Sequence, residues 1–190
     1  MALDADEAAV REWATKEHLT MPVLIDKYHV VADLYGIVNV PAAVWVDEHN
    51  KIVRPADSIP GSDLFRSFTK VDSSVHHDLL RAWVRNDKRD LDDSQVRNFQ
   101  VLPTQEVQLA RLNRRVAIAL RERNETGDED ASKEYLARAE SLAPLDWTIR
   151  RGNMPLAGVD PFGDEFFKFV GEWSESGRPG FKLGTGRVDN

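Results

Sequence analysis

No cysteine occurs among the 190 residues. That absence excludes disulfides, thiolate nucleophiles, iron–sulfur ligation and cysteine zinc sites together. The five histidines are His18, His29, His49, His76 and His77, and no HExxH pattern is present. The adjacent pair His76-His77 points its rings to different helix faces, which argues against a shared metal. No G-x-S-x-G elbow marks a serine nucleophile. Ser58, Ser62, Ser67, Ser73 and Ser74 crowd the stretch between 57 and 78, where serines read as helix caps rather than catalysts. No apolar run approaches the roughly 18 residues of a membrane span. Met1-Ala2-Leu3-Asp4 shows neither the basic nor the apolar part of a secretory signal, so the expected compartment is the cytoplasm. Positive charge is in deficit, with 25 Lys and Arg against 32 Asp and Glu and a net charge of −7. Such a chain is not built to neutralise nucleic-acid phosphates.

What is present is a globular composition, 42% hydrophobic and 30% charged. Two regions differ in pattern. Residues 1–86 alternate short apolar runs with amphipathic stretches, which predicts an α/β unit. Residues 104–176 show helical periodicity only. The charged, apolar-poor segment from Asn86 to Asp93 opens a linker assigned to residues 87–103. Residues 177–190, rich in glycine and polar side chains, are expected to fray.

Within the first region, Ala2-Leu3 reads as the end of a strand. Asp4 or Asp6 can cap a helix whose apolar stripe is Val10, Trp13 and Ala14. Pro22-Val23-Leu24-Ile25-Asp26 predicts a buried strand. A second helix would turn Val30, Val31, Leu34 and Tyr35 inward and stop at Gly36. Residues 38–47 form a continuous apolar strand, the turn chemistry of Asp47-Glu48-His49-Asn50-Lys51 follows, and residues 51–54 return, which predicts a hairpin. The stretch 55–72 reads as loop with short helical pieces around Leu64-Phe65. After Asp72-Ser73 a helix would pack Leu79, Leu80, Trp83 and Val84 inward.

The motif Tyr35-Gly36-Ile37-Val38-Asn39-Val40-Pro41-Ala42, then an apolar strand, then Asp47-Glu48-His49-Asn50-Lys51-Ile52-Val53, resembles the C-terminal half of thioredoxin-like proteins of the ResA/TlpA type, or redoxins. The resemblance covers residues 1 to about 86. Asn50 stands where the family turn has glycine, and Ala42 where threonine is common. The fold it implies is an incomplete thioredoxin-like domain lacking its first strand and its active-site helix, followed by an all-α region. It also implies a cis bond before Pro41, beside a reactive chalcogen, and a substrate-binding role for Val40 and Pro41, Val40 pairing its backbone with an extended substrate. The first strand of that fold is interior, so its lack leaves the strand after Pro41 at an edge. The nearest pattern resembles a subgroup with Trp-Ala-x-x-Sec-Gly-Ser-x-Trp. This implies that the chain is the readable remainder of a selenoprotein, with an in-frame UGA codon upstream of Met1.

In the second region, Leu109, Leu112, Val116 and Leu120 share one face of a helix over 105–124, and Arg111, Arg114, Arg115 and Arg121 lie on the other. The arginine face reads as a solvated surface rather than a site for an acidic partner. A turn at 124–128 leads to a helix carrying Ala131, Tyr135, Leu136, Ala139 and Leu142 and ending at Pro144, so that the hairpin is similar to one tetratricopeptide repeat. A lone repeat cannot bury its own core, so the hairpin is expected to pack on the first region or on a partner. A short helix near Trp147 and a last helix with Phe166, Phe167, Phe169, Val170 and Trp173 complete the tail.

Two functions compete. One is a thiol- or selenol-dependent disulfide or peroxide reductase by resemblance, acting on a disulfide-containing protein or a small peroxide, needing no separate cofactor and no metal, and catalytically incomplete as given. The other is a non-catalytic interaction module whose helical hairpin binds a protein partner.

Overall fold

The computed structural model describes residues 1–3, 6–57, 63, 66–100, 102–123 and 128–177. The expected cap at Asp4, the helical piece at Leu64-Phe65, the turn at 124–127, Ser58, Ser62 and the fraying of 178–190 lie outside those residues. Asp6 starts α1 (Glu7–Lys16), its carboxylate accepting the amides of Ala8 at 2.9 Å and Ala9 at 3.1 Å. Of the expected stripe, Val10 is buried, Ala14 is half-buried and Trp13 is exposed. Trp13 instead borders an open apolar concavity of about 650 Å³, shared with Met1, Val10, Leu19 and Met21.

Ala2 donates to the Leu24 carbonyl and accepts from the Asp26 amide, both at 2.8 Å, which makes a parallel bridge between Ala2 and Ile25. The buried strand expected over 22–26 is therefore a single bridge, and Leu24 and Ile25 are exposed because no further strand covers them among the described residues. The Asp26 carboxylate then accepts the amides of Val30 and Ala32, both at 2.8 Å, and anchors α2 (Val30–Leu34). Ala32 is the buried residue of this helix. Val30, Val31, Leu34 and Tyr35 are exposed, which corrects the expectation of an inward apolar face. A five-residue helix buries one narrow stripe, and its partner contacts are polar ones made by Asp33. Gly36 closes it at φ +65°, a conformation only glycine adopts without cost.

The loop 37–42 leads to β1 (Ala43–Val46), which pairs antiparallel with β2 (Ile52–Asp57). Ala43 faces Asp57, Trp45 faces Arg54 and Val46 faces Ile52. The register shifts twice along this short ladder, and Pro55, which has no amide to donate, lies in the irregular stretch. The connecting turn is held by Asp47, whose carboxylate accepts from the amides of His49 at 3.0 Å and Lys51 at 2.9 Å, with Asn50 at φ +60°. After α3 (Arg66–Thr69), Asp72 caps α4 (Ser73–Asn86). This helix covers the hairpin through Trp83, which stacks on Trp45 with ring centroids 5.2 Å apart and planes 3° apart. Val84, expected inward, is exposed.

The segment read as a linker contains α5 (Asp93–Phe99), started by a reciprocal capping box between Asp92 and Gln95. Val96 is buried and α5 packs on β2. The tail begins with α6 (Gln105–Arg123) and α7 (Glu129–Leu142), which pack together as a hairpin, then α8 (Trp147–Asn153), a 3-10 turn at Pro155–Ala157 and α9 (Asp164–Glu175). One core forms from Ala110, Ala139, Ala143 and Ile149. A second forms from Met154, Phe166, Phe169 and Trp173, with Trp147 against it. The protein is thus a mixed α/β chain dominated by helices, with a two-stranded antiparallel sheet among the described residues.

Candidate functional site

Val40 and Pro41, the residues singled out by sequence, lie in the loop that feeds β1, and both are exposed. The bond joining them is cis. Among the described residues, β1 pairs with β2 alone, so its other edge is open, and the Ala2–Ile25 pair stands apart with no ladder to it. An open edge next to an exposed loop offers unpaired backbone groups to an extended chain. It offers no thiolate nucleophile, since no cysteine exists. The loop is touched from the tail by Arg151, whose guanidinium lies 3.5 Å from the Asn39 amide oxygen and also sits over the rings of Phe162 and Phe166.

A second polar cluster lies under the hairpin. Arg54 and Asp57, both buried, pair at 3.1 Å, and Arg54 also pairs with Asp90 of the supposed linker. The Arg54 guanidinium lies 5.1 Å from the Trp45 ring. His76 is buried against Trp45, and burial, followed by the charge of Arg54, lowers its pKa. His77 lies beside it, and no group of His, Asp or Glu among the described residues is arranged to hold a metal. The neighbouring serines do structural work. Ser74 donates from its amide and hydroxyl to Asp72, and the Ser73 amide donates to Asp63.

The third cluster was missed by sequence. On α6 the buried residues are Ala110, Arg111, Arg114, Ala117 and Ile118, whereas Leu109 and Leu112 are exposed and Val116 and Leu120 half-buried. The expected faces are exchanged. Small alanines let α7 approach, and the arginines find partners distant in sequence. Arg111 bridges Asp33 at 3.1 Å and Asp146 at 3.3 Å. Arg115 pairs with Asp33 and donates to the Tyr28 carbonyl at 3.0 Å. Arg121 donates to the buried Ser132 hydroxyl at 2.9 Å, which donates in turn to the Ala117 carbonyl. Glu122 pairs with Lys27 and accepts from the Tyr28 hydroxyl. The arginine face thus docks the tail on the segment 27–33 instead of facing solvent. Burial raises the Asp33 carboxyl above its ordinary range, against the downward pull of Arg111 and Arg115.

Compared with protein-family models, curated proteins and solved structures, the chain matches none. No helix among the described residues is long and apolar enough to cross a membrane.

Proposed function

We propose that this chain is the C-terminal part of a thioredoxin-like thiol- or selenol-disulfide oxidoreductase, or of a peroxide-reducing redoxin, catalytically incomplete as given. The observation that carries this reading is the arrangement of extended segments. Among the described residues a parallel pair, Ala2 with Ile25, and an antiparallel hairpin, β1 with β2, stand unjoined, and the loop holding Val40 and Pro41 runs into β1, whose other edge is unpaired there. A strand set between them would join both halves into one sheet, and the helix following that strand would bring its N-terminus, where a low-pKa chalcogenolate is stabilised, near Val40 and Pro41. The open apolar concavity lined by Met1, Val10 and Trp13 supports the same reading, since it is surface that a further element would cover. The substrate proposed is a disulfide-containing protein or a small peroxide, and the compartment is the cytoplasm, where thiols are kept reduced.

The test is expression of the protein with its upstream coding region, any in-frame UGA being read as selenocysteine or replaced by a cysteine codon. The extended protein is expected to reduce insulin disulfides or hydrogen peroxide in a thiol-dependent assay, and the 190-residue chain is expected to be inactive. An inactive, folded extended protein, or a non-coding upstream region, refutes the proposal. The alternative, an interaction module using the hairpin of α6 and α7, has less support. Three of the arginines that would have faced a partner are spent on internal contacts with segment 27–33, Asp146 and Ser132.

A further inference from the structure

We infer that His29 is an acid-sensitive clasp that fastens the N-terminal extended pair and α2 to the helical tail while its ring is neutral. The inference is independent of the redox reading. His29 is 8% exposed and sits where three segments meet. Its Nε2 lies 3.2 Å from the Leu3 carbonyl, which accepts only, so Nε2 carries the proton and donates. Its backbone amide donates to the Asp26 carbonyl at 3.0 Å. Its own carbonyl faces the Arg115 guanidinium at 3.4 Å. Thus one residue ties the strand end at Leu3, the turn at Asp26 and the face of α6.

The other ring nitrogen, Nδ1, is buried with no hydrogen-bond partner among the described residues. A second proton would have to be placed there, without an acceptor, in a region already rich in positive charge. From α6, Arg114 and Arg115 face the ring, and among the described residues Asp26, in the turn before α2, offers the opposite sign. Both Asp26 oxygens are engaged by the amides of Val30 and Ala32. Arg114 itself is buried, donates to the Gly152 carbonyl at 3.3 Å, and has no carboxylate within ion-pair distance among the described residues. Burial first, then Arg114, lowers the His29 pKa from 6.5 to about 4. Between these values the unfolded or opened chain binds a proton that the closed form does not, so closure weakens as pH falls through that window. The hairpin of α6 and α7, packed on Leu136, Ala139 and Ala110, contains no such group and is expected to stay closed.

The experiment follows the imidazole and amide resonances of the full chain from pH 7.5 to pH 3.5, alongside urea unfolding of the native protein and of His29→Gln, whose amide can still donate toward Leu3. The His29 ring is expected to titrate near pH 4, with the amides of Ala2, Asp26 and Ala32 moving at the same midpoint and those of Leu136 and Ala139 not. Between pH 7 and 4.5 the native protein is expected to lose on the order of 50- to 100-fold more of its folding equilibrium constant than His29→Gln. A His29 midpoint near 6.5, or identical pH dependence in the two proteins, overturns the inference. If His29→Gln does not fold, the ring titration in the native protein decides by itself.

Discussion

Replacing Arg114 with methionine should stabilise this protein. The side chain is 6% exposed, and among the described residues its Nε and Nη1 have no partner and it donates to the Gly152 carbonyl at 3.3 Å. The guanidinium packs directly on α8, where a Cβ on Gly152 would come within 3.2 Å of Nε. Burial lowers the Arg114 pKa from the ordinary guanidinium range to about 10. At 1.36 kcal/mol per pKa unit, holding it charged at pH 7 costs the folded state roughly 3 kcal/mol relative to the unfolded chain. The bond to Gly152 offsets about 1 kcal/mol of that. Methionine keeps the apolar stem and drops the charge, so the net gain should be about 1–3 kcal/mol, the pattern seen when buried ions are replaced by apolar groups of similar volume. Urea unfolding at pH 7, read as a shift in midpoint at constant slope, measures it. The same variant removes the second-largest cause holding down the His29 ring, so the His29 midpoint should rise from about 4 toward 6.5. A stability loss above about 1 kcal/mol, or an unmoved His29 midpoint, would refute the reasoning and reveal a counter-ion for Arg114.

Two further outcomes are expected. Trp83→Ala removes the stack on Trp45 and part of the cover over the hairpin, at a cost of about 2–4 kcal/mol, with loss of the near-ultraviolet circular-dichroism signal of the pair; an unchanged spectrum would count against the stack. Phe169→Ala opens a fully buried site between Trp147 and Arg150 and should cost about 3–5 kcal/mol in urea unfolding, whereas exposed Phe167→Ala should change stability by no more than about 1 kcal/mol. Equal losses at the two positions would place the wrong face of α9 inward.

Local chemistry was legible in the sequence wherever a residue decides its own neighbourhood. Asp6, Asp72 and Asn50 each do what their side chains dictate, Gly36 closes α2 at a positive φ that its lack of a side chain permits, and the hairpin forms where turn chemistry separates two apolar runs. The strand read over residues 38–47 is shorter in the structure, β1 beginning only at Ala43, so Val40 and Pro41, joined by the cis bond, fall in the loop that feeds it, where Pro41 interrupts regular pairing. The α5 helix is hidden in the sequence by the charge density of residues 86–93, which reads as a linker even though Asp92 and Gln95 carry a capping-box spacing. The orientation of α6 could not be read locally. Its leucine row makes a better apolar stripe than its alanines, and the opposite face is turned inward by Asp33 and the Tyr28 carbonyl, more than 80 positions away in the chain. The expectation that Val30, Val31 and Leu34 point inward failed because periodicity does not specify what lies opposite a helix.

The most direct measurement is a structure of the protein extended through its upstream coding region. One additional strand is expected, hydrogen-bonded on one side to the segment around Ala2 and on the other to β1, with the residue that follows it approaching Pro41. A structure in which the open edge of β1 stays unpaired by that region, or in which the upstream residues fold elsewhere, would contradict that expectation.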